Sequence, residues 1–274
     1  ILSEKELDNL IDDLNKQAVI SVDTETSSLN PQEAELIGIS ISYAPNVSFY
    51  IPVGHINVHS LKKNLVIHKL KPILEDTSIK KVGQNIKYDY IIFKKLGIEL
   101  EAIEDTMLLS YTVDAGNNRH NMDTLSELHL GHNTISFKDL VGVGKKQLKF
   151  SEVDLNKATE YAAEDADVTL RLYEILSAKV EKEKLSKIYE IFEKPMIKIL
   201  SKLETYGIKV DHNYLKELSK KFENRLYKIE REIYKISGKE FNIGSPKQLG
   251  EIIYNDLKIA KLKKTKKGSL ATSA

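Results

Sequence analysis

Helical and strand periodicities alternate along the first hundred residues. Apolar residues spaced at about 3.6 positions predict helices, and β-branched residues that alternate with polar ones predict strands. In chain order these patterns predict a helix at 2–16, strands at 18–22, 35–43 and 47–52, a helix at 61–74, a strand at 80–82 and a helix at 86–96. Strands interspersed with helices predict an α/β fold, in which helices pack on a mixed β-sheet.

From about residue 104 the patterns are helical. They predict helices near 105–114, from Met122, at 155–182, over 183–237 and at 246–257, with FNIGSP at 241–246 as a break. The last residues, KIAKLKKTKKGSLATSA, show no periodicity, and we expect poor order after about residue 258. The Ile start and this basic end suggest a piece of a longer protein, with a domain boundary near residue 190.

Composition excludes several classes of protein. The 274 residues include no cysteine, which rules out disulfides, thiolate zinc sites, iron–sulfur clusters and cysteine nucleophiles. No apolar stretch reaches the ~18–20 residues that span a bilayer, and the N-terminus does not resemble a signal peptide. We therefore expect a cytoplasmic monomer that does not bind membranes.

The near-neutral net charge of the chain is the sum of an acidic region and a basic region. The whole chain has 41 basic and 40 acidic residues. Residues 195–274 carry 18 basic and 9 acidic residues, whereas residues 1–194 carry 23 basic and 31 acidic ones. This division predicts an acidic domain suited to cations and a basic segment suited to phosphates.

The first candidate site is Asp23-Thr24-Glu25-Thr26, at the end of the first predicted strand. Residues two apart in extended backbone project to the same face, so Asp23 and Glu25 would lie side by side. Two such carboxylates repel unless a cation lies between them, and oxygen ligands suit Mg²⁺ or Mn²⁺. A strand end that runs into a polar turn, capped by Asp23 and Thr24, is the alternative.

The second candidate site is GQNIKYD at 83–89. Asp89 falls in the first turn of a predicted helix, where the helix dipole favours a negative charge. An ordinary helix N-terminus with Asn85 as its cap explains this segment equally well.

The third candidate site lies on the long helix predicted at 155–182. Tyr161 and Asp165 are one turn apart and share a face. A phenol one turn from a carboxylate can hold a water beside a metal. Asp165 lies between apolar rows and is poorly explained as a solvated charge, whereas Glu164 and Asp167 fit an ordinary solvent-exposed face.

The three sites together resemble a known family. D-x-E on a first strand, N-x-x-Y-D at the start of a middle helix and Y-x-x-x-D on a later helix resemble the DEDD 3′–5′ exonucleases of the tyrosine subgroup. Longer blocks, including RHNMDTLSELHLGH and FNIGSPKQLGEIIY, resemble the bacterial DNA polymerase I family (family A) over nearly the whole chain.

The resemblance implies a fold and a domain organisation. It implies a ribonuclease H-like mixed β-sheet flanked by helices at 1–190, as a 3′–5′ exonuclease domain. A mainly helical start of the polymerase domain, at the base of the thumb, would occupy 191–274. The resemblance does not reach the palm and fingers motifs, so we expect this chain not to polymerise.

The resemblance also implies an activity and the residues that perform it. The activity would be proofreading removal of nucleoside monophosphates from DNA 3′ ends in replication and repair, with two divalent ions (Mg²⁺, or Mn²⁺ or Zn²⁺). Asp23 would bridge both ions, Glu25 and Asp165 would complete the first site, and Asp89 would hold the second. Tyr161, with Glu25, would orient the attacking water. The partner would be DNA, especially single-stranded 3′ ends, in a nucleoid-associated protein.

Further residues of the resemblance would bind substrate. Leu29 and Phe137 would contact the terminal bases, although core packing explains both equally well. The residues expected to line the cleft or to reach its phosphates are Thr26, Gln84, Asn85, Tyr88 and Arg119.

Two other functions compete with this interpretation. An RNA-trimming nuclease similar to ribonuclease D would use the same carboxylates, but FNIGSPKQLGEIIY resembles the polymerase thumb instead. A non-catalytic nucleic-acid-binding module is the second alternative, and the four intact carboxylates weigh against it.

Three weaker signals receive no function. The segment GVGKK at 142–146 lacks the spacing of a phosphate-binding loop and is expected to be a flexible loop. The pairs His55 with His59 and His129 with His132 lack a further ligand for zinc. Asn46-Val47-Ser48 fits a glycosylation consensus that has no meaning in the cytoplasm.

Overall fold

The computed structural model describes residues 1–56 and 58–259. The chain divides into two compact units, Ile1–Gly207 and Ile208–Ala274. The expected poor order after residue 258 concerns mainly residues 260–274, which lie outside the described residues.

The first unit contains a five-stranded mixed β-sheet. Its strands are β1 (Val19–Thr26), β2 (Leu36–Ala44), β3 (Val47–Pro52), β4 (Lys80–Gly83) and β5 (Ile103–Asp105), in the order β3-β2-β1-β4-β5. β2 is antiparallel to both β1 and β3, whereas β4 is parallel to both β1 and β5.

Two strands differ from the sequence prediction. β1 continues to Thr26, so Asp23 and Glu25 lie inside a strand rather than beyond its predicted end at residue 22. β5 was not predicted, because three residues are too short to show an alternating pattern. Its pairing with β4 holds the edge of the sheet beside the second candidate site.

Nine α-helices, two 3₁₀ turns and one π-helical turn complete the described part of the first unit. The helices are α1 (Glu4–Leu14), α2 (Lys63–Leu74), α3 (Lys87–Lys95), α4 (Thr106–Asp114), α5 (Met122–Leu130), α6 (Phe137–Val141), α7 (Leu155–Lys182), α8 (Ser186–Ile188) and α9 (Lys194–Tyr206). Gly144–Lys146 and Phe150–Glu152 form 3₁₀ turns, and Tyr189–Glu193 forms a π-helical turn.

The alternation of side chains along β1 separates two parts of the core. Ile20 and Val22 are fully buried in a cluster with residues of α1, α2 and α3. Ser21 points to the opposite face, where its hydroxyl donates to the Ala166 carbonyl of α7 at 2.6 Å. Asp23 and Glu25 follow Ser21 by two and four residues in the strand. Their side chains therefore lie on the same face as Ser21, which α7 covers.

Small side chains let α7 lie close to the sheet. Ala158, Ala162 and Ala166 are completely buried on this helix. Because alanine adds one methyl group to the backbone, a row of alanines permits a short distance between helix and strand. This close packing brings Asp165 towards β1.

The first compact unit extends beyond the boundary predicted at residue 190. Ile197 on α9 is buried in the same core cluster as Ile20 and Val22. The Lys194 ammonium lies 2.8 Å from the Glu104 carboxylate, and that of Lys198 lies 2.8 Å from Glu101. α9 therefore belongs to the first unit by its packing.

The second unit is helical in its described part. It contains α10 (His212–Ser237), α11 (Pro246–Glu251) and a π-helical turn at Ile252–Asp256. The continuous helix predicted over 183–237 is wrong at two places, because Lys184 has a φ of 61° before α8 and Gly207 has a φ of 65° where α9 ends. The Asp211 carboxylate then accepts hydrogen bonds from the Asn213 and Tyr214 amides and starts α10.

Within the described ranges, no helix has the length and apolar character needed to cross a membrane.

Candidate active site

Three carboxylates from two elements meet at the end of β1. Ligand oxygens of Asp23, Glu25 and Asp165 all lie within 4.8 Å of one another. Asp23 and Glu25 share a strand face, and Asp165 comes from the face of α7 that covers it. The structure therefore brings together the first and third candidate sites.

An irregularity in the sheet occurs at this point. Glu25 pairs with Gly38, but the next residue, Thr26, pairs with Leu36, so the register shifts between them. Such a bulge bends a strand and redirects the side chains beside it. Gly38 has a separate role, because a Cβ there would lie 2.1 Å from the Tyr50 hydroxyl oxygen.

Asp89 provides the fourth carboxylate. It lies in the first turn of α3 and is only 2% exposed. Its Oδ1 accepts a hydrogen bond from the Thr24 hydroxyl at 2.5 Å. Because Thr24 lies between Asp23 and Glu25 in β1, this bond ties the second candidate site to the first.

Asn85 does not cap α3 as the alternative interpretation required. Its backbone has a left-handed φ of 60°, and its side chain makes no cap hydrogen bond to α3. The Asp105 carboxylate instead holds the two residues before the helix, because it accepts from the amides of Asn85 at 3.1 Å and Ile86 at 3.0 Å. Asp105 also accepts from the Met107 amide at 2.8 Å and caps α4.

The electrostatics of the four carboxylates favour a cation. Burial raises the pKa of Asp23 to about 6. Burial, and then the neighbouring carboxylates, raise the pKa values of Glu25, Asp89 and Asp165 well above their usual range. Among the ion pairs of the described residues, none involves these four groups. Buried oxygen ligands without a protein cation fit Mg²⁺ or Mn²⁺.

Tyr161 lies beside this cluster. Burial, followed by the charge of Asp165, raises the pKa of the phenol, which stays protonated. Its ring centroid lies 5.9 Å from that of Phe137 and 6.2 Å from that of Phe150. The aromatic contacts fix the ring of Tyr161, which lines the same cavity as the carboxylates.

All five residues assigned to catalysis line a cavity of about 1000 Å³. Six of the seven residues expected to bind substrate also line it, namely Thr26, Leu29, Gln84, Asn85, Tyr88 and Phe137. Arg119 is exposed between α4 and α5 and is not among the described residues that line the cavity.

The exposure of the two apolar candidates shows that neither is a core residue. Leu29 is 97% exposed and Phe137 is 44% exposed. Tyr88 and Gln84 are held by hydrogen bonds: the Tyr88 hydroxyl donates to the Ser28 carbonyl at 2.5 Å, and the Gln84 amide donates to the His120 carbonyl at 2.8 Å. The cleft thus combines exposed apolar side chains with fixed polar ones.

The sequence interpretation missed one wall of the cavity. Lys138, Gly144, Gln147, Leu148, Lys149 and Phe150 line it. Gly144 belongs to the GVGKK segment that was expected to be a flexible loop, and it begins a 3₁₀ turn instead. No local pattern identifies this wall, because its position depends on ring contacts with a distant helix.

Glu164 and Asp167 do not lie on an ordinary solvent-exposed face. Glu164 accepts a hydrogen bond from the Ile135 amide at 2.6 Å and lies 2.7 Å from the His132 Nε2. Asp167 accepts from the Asn46 amide at 2.5 Å and is buried. Both carboxylates anchor loops to α7, so the prediction was wrong for them.

Two of the histidines that were considered for zinc have other contacts. His132 pairs with Glu164, and the Nε2 of His55 lies 2.8 Å from the Tyr50 hydroxyl.

Known proteins resemble this chain in sequence and in fold. The family model for 3′–5′ exonuclease matches residues 1–181, and that for DNA polymerase family A matches residues 212–274. DNA polymerase I of Rhizobium leguminosarum is 41% identical over 98% of this chain. The chain spans 28% of the length of that relative.

Solved structures share the fold. The POL domain of Pol1 from M. smegmatis, in complex with DNA primer-template and dNTP, has a TM-score of 0.76 at 22% identity, over 99% of this chain and 43% of that one. Brucella melitensis NrnC with bound Mg²⁺ has a TM-score of 0.55 at 23% identity, over 73% of this chain and 92% of that one. The predicted ribonuclease H-like mixed sheet, followed by a mainly helical segment, is confirmed.

The exonuclease family model covers well over half of the chain, and its match contains all four carboxylates of the site and Tyr161. The chain therefore belongs to the 3′–5′ exonuclease family.

Proposed function

We propose that the first unit hydrolyses DNA from its 3′ end and releases nucleoside monophosphates with the help of two divalent ions. One observation carries this proposal: Asp23, Glu25 and Asp165 place ligand oxygens within 4.8 Å of one another, and none of them has a cationic partner among the described side chains. Thr24 holds Asp89 beside them.

Each carboxylate has a distinct position relative to the ions. The charge of Asp23 acts on Glu25, Asp89 and Asp165 alike, which suits Asp23 to both ions. When bound, the ions would activate a water near neutral pH and stabilise the charge on the leaving 3′ oxygen. Mg²⁺ is the expected occupant, because all the proposed ligands are oxygens, and the related fold of NrnC holds Mg²⁺.

Tyr161 and Glu25 would orient the attacking water. The phenol stays protonated, so its hydroxyl can donate a hydrogen bond to a water or accept one from it. Glu25 contributes a second acceptor on the same side. A water held between two fixed groups has fewer orientations to lose before it attacks.

The exposed apolar side chains would bind the end of the strand. Leu29 and Phe137 line the cavity at the surface, where bases of an unpaired 3′ end can stack or wedge against them. Tyr88, Gln84 and Asn85 line the same cavity with polar groups. This combination suits single-stranded DNA.

The parent protein is proposed to be a DNA polymerase I. The match of residues 212–274 to DNA polymerase family A and the similarity to DNA polymerase I over nearly the whole chain support this proposal. The cytoplasmic, nucleoid-associated location and the monomeric state stay predictions.

The proposal is tested with single strands that carry a 3′-terminal label. We expect release of labelled mononucleotide with Mg²⁺ or Mn²⁺, none with a chelator, and none from an Asp23→Ala variant that stays folded. A matched RNA strand, run in parallel, separates DNA from RNA as the substrate. An Asp23→Ala variant as active as the wild type would exclude the metal assignment.

A further inference from the structure

Both ends of the segment 137–150 line one wall of the cavity. The rings of Phe137 and Phe150 stack with centroids 6.4 Å apart and planes 3° from parallel. The Leu148 amide donates to the Val141 carbonyl at 2.9 Å and closes the segment on itself. Because both rings also contact Tyr161, this wall is attached to the proposed catalytic tyrosine.

Two lysines lie next to the stacked rings. Lys138 follows Phe137, and Lys149 precedes Phe150. Both are exposed, both line the cavity, and neither takes part in an ion pair with any described side chain. They are the cationic members of the described cavity lining.

The phosphates of a bound DNA strand need positive charges near them. Four carboxylates line the cavity, and each nucleotide beyond the scissile bond adds one negative phosphate. Divalent ions at the carboxylates would offset the charge near the scissile phosphate but not that of phosphates farther along the strand. Arg119, which the sequence interpretation assigned to phosphates, lies outside the described lining. Lysine ammonium groups bind phosphate as mobile point charges.

We propose that Lys138 and Lys149 form a subsite for the backbone phosphates on the 5′ side of the scissile bond. This inference rests on the proposed exonuclease function. The ligand is single-stranded DNA that extends beyond its two terminal nucleotides. The subsite draws the strand along the aromatic wall and keeps its 3′ end at the carboxylates.

The test uses a Lys138→Gln/Lys149→Gln double variant of the full chain. Two substrates are compared: a ten-nucleotide strand, and a dinucleotide whose single phosphate is the scissile one. We expect the ratio of kcat/KM for the long strand to kcat/KM for the dinucleotide to fall roughly tenfold. The slope of log KM against the logarithm of the salt concentration for the long strand should become shallower by about 0.7 for each lysine replaced. Each lysine–phosphate contact releases counterions when the strand binds, and the variant lacks these contacts.

A second double variant controls for net charge. Lys5→Gln/Lys62→Gln removes two exposed lysines that are not among the described residues lining the cavity. It should keep the wild-type substrate ratio and salt slope, because these lysines do not contact the strand.

Each outcome decides the inference. A Lys138→Gln/Lys149→Gln variant that matches the control in substrate ratio and salt slope overturns the subsite, while dinucleotide cleavage by the wild type leaves the exonuclease proposal intact. An equal fall in kcat/KM for both substrates also overturns the subsite, because the lysines would then act at the scissile bond itself. A wild-type protein that cleaves neither substrate overturns both proposals.

Discussion

The cluster of Asp23, Glu25 and Asp165 arises where two backbone periodicities meet. The two-residue repeat of β1 places Asp23 and Glu25 on one face, and the helical repeat of α7 turns Asp165 and Tyr161 towards that face. Both relationships are local, so the sequence could predict them. The contact between strand and helix is not local, and it depends on the buried alanines that let α7 approach.

Tyr161→Phe tests the hydroxyl of this residue. The ring contacts with Phe137 and Phe150 would persist, so the free energy of unfolding should change by no more than about 1 kcal/mol. Without the hydroxyl, the attacking water is no longer oriented on this side, so kcat should fall roughly 10²-fold. Single-turnover cleavage of a 3′-labelled strand measures the rate, and urea unfolding measures stability.

Tyr111→Phe is the matched control for that variant. Tyr111 is exposed, and its ring lies edge-on to His120 with centroids 5.5 Å apart. It is not among the described residues lining the cavity. Equal rates for Tyr161→Phe and Tyr111→Phe would show that the Tyr161 hydroxyl has no part in the reaction.

At the scale of elements, Asp105 connects the N-termini of two helices. Its carboxylate accepts from the Asn85 and Ile86 amides before α3 and from the Met107 amide of α4. The Thr106 hydroxyl donates to the Gly83 carbonyl at 3.1 Å and strengthens the same junction. This junction fixes the start of α3, one turn from Asp89.

Asp105→Asn tests the charge at this junction. Burial raises the pKa of Asp105 from 3.8 to about 6, against the opposing effect of its amide donors. The folded state therefore binds the proton more tightly than the unfolded state, and the contribution of Asp105 to stability falls as pH rises from about 4 through about 6. The free energy of unfolding of the wild type minus that of Asp105→Asn should fall by up to about 3 kcal/mol over this range.

Urea unfolding in chelator at several pH values provides this difference. The four metal-site carboxylates are present in both proteins, so their titration largely cancels. A difference that does not change with pH would contradict the role given to Asp105.

The sequence predicted most elements but not the junctions between them. Long periodic segments such as α7 and β2 could be predicted because each shows its own apolar pattern. β5 is too short to show one, and the break after Tyr206 depends on Gly207 adopting a positive φ. The hydrogen bonds from Asp105 to the residues before α3 and the wall at 137–150 require contacts between distant residues, which no local pattern contains.

At the scale of the whole molecule, the first unit needs α9. Ile197 is buried in its core, and Lys194 pairs with Glu104, which is itself buried. A chain cut at residue 190, where the sequence suggested the boundary, would lose both. The acidic carboxylate site and the core that supports it are both contained in 1–207.

Two fragments test this boundary. Residues 1–207 should unfold cooperatively, because their core is complete. Residues 1–190 should unfold at a temperature lower by roughly 5 °C or more, because burial of Ile197 alone contributes about 2 kcal/mol. Thermal unfolding followed by circular dichroism compares them, and equal midpoints would place the boundary at or before residue 190.

The charge of the chain also belongs to this scale. An excess of acidic residues before 195 offsets an excess of basic ones after it. The four carboxylates with raised pKa values belong to this acidic excess, and a proton or a metal ion can neutralise them.

Calorimetric titration of the metal-free chain with Mn²⁺ near pH 7.5 tests most directly whether the four carboxylates form a divalent metal site. We expect the wild type to bind two ions, Asp23→Asn to lose that binding, and Asp12→Asn, which changes an exposed aspartate on α1, to bind as the wild type does. Absence of binding to the wild type, or unchanged binding to Asp23→Asn, would contradict a metal centre built on β1, α3 and α7.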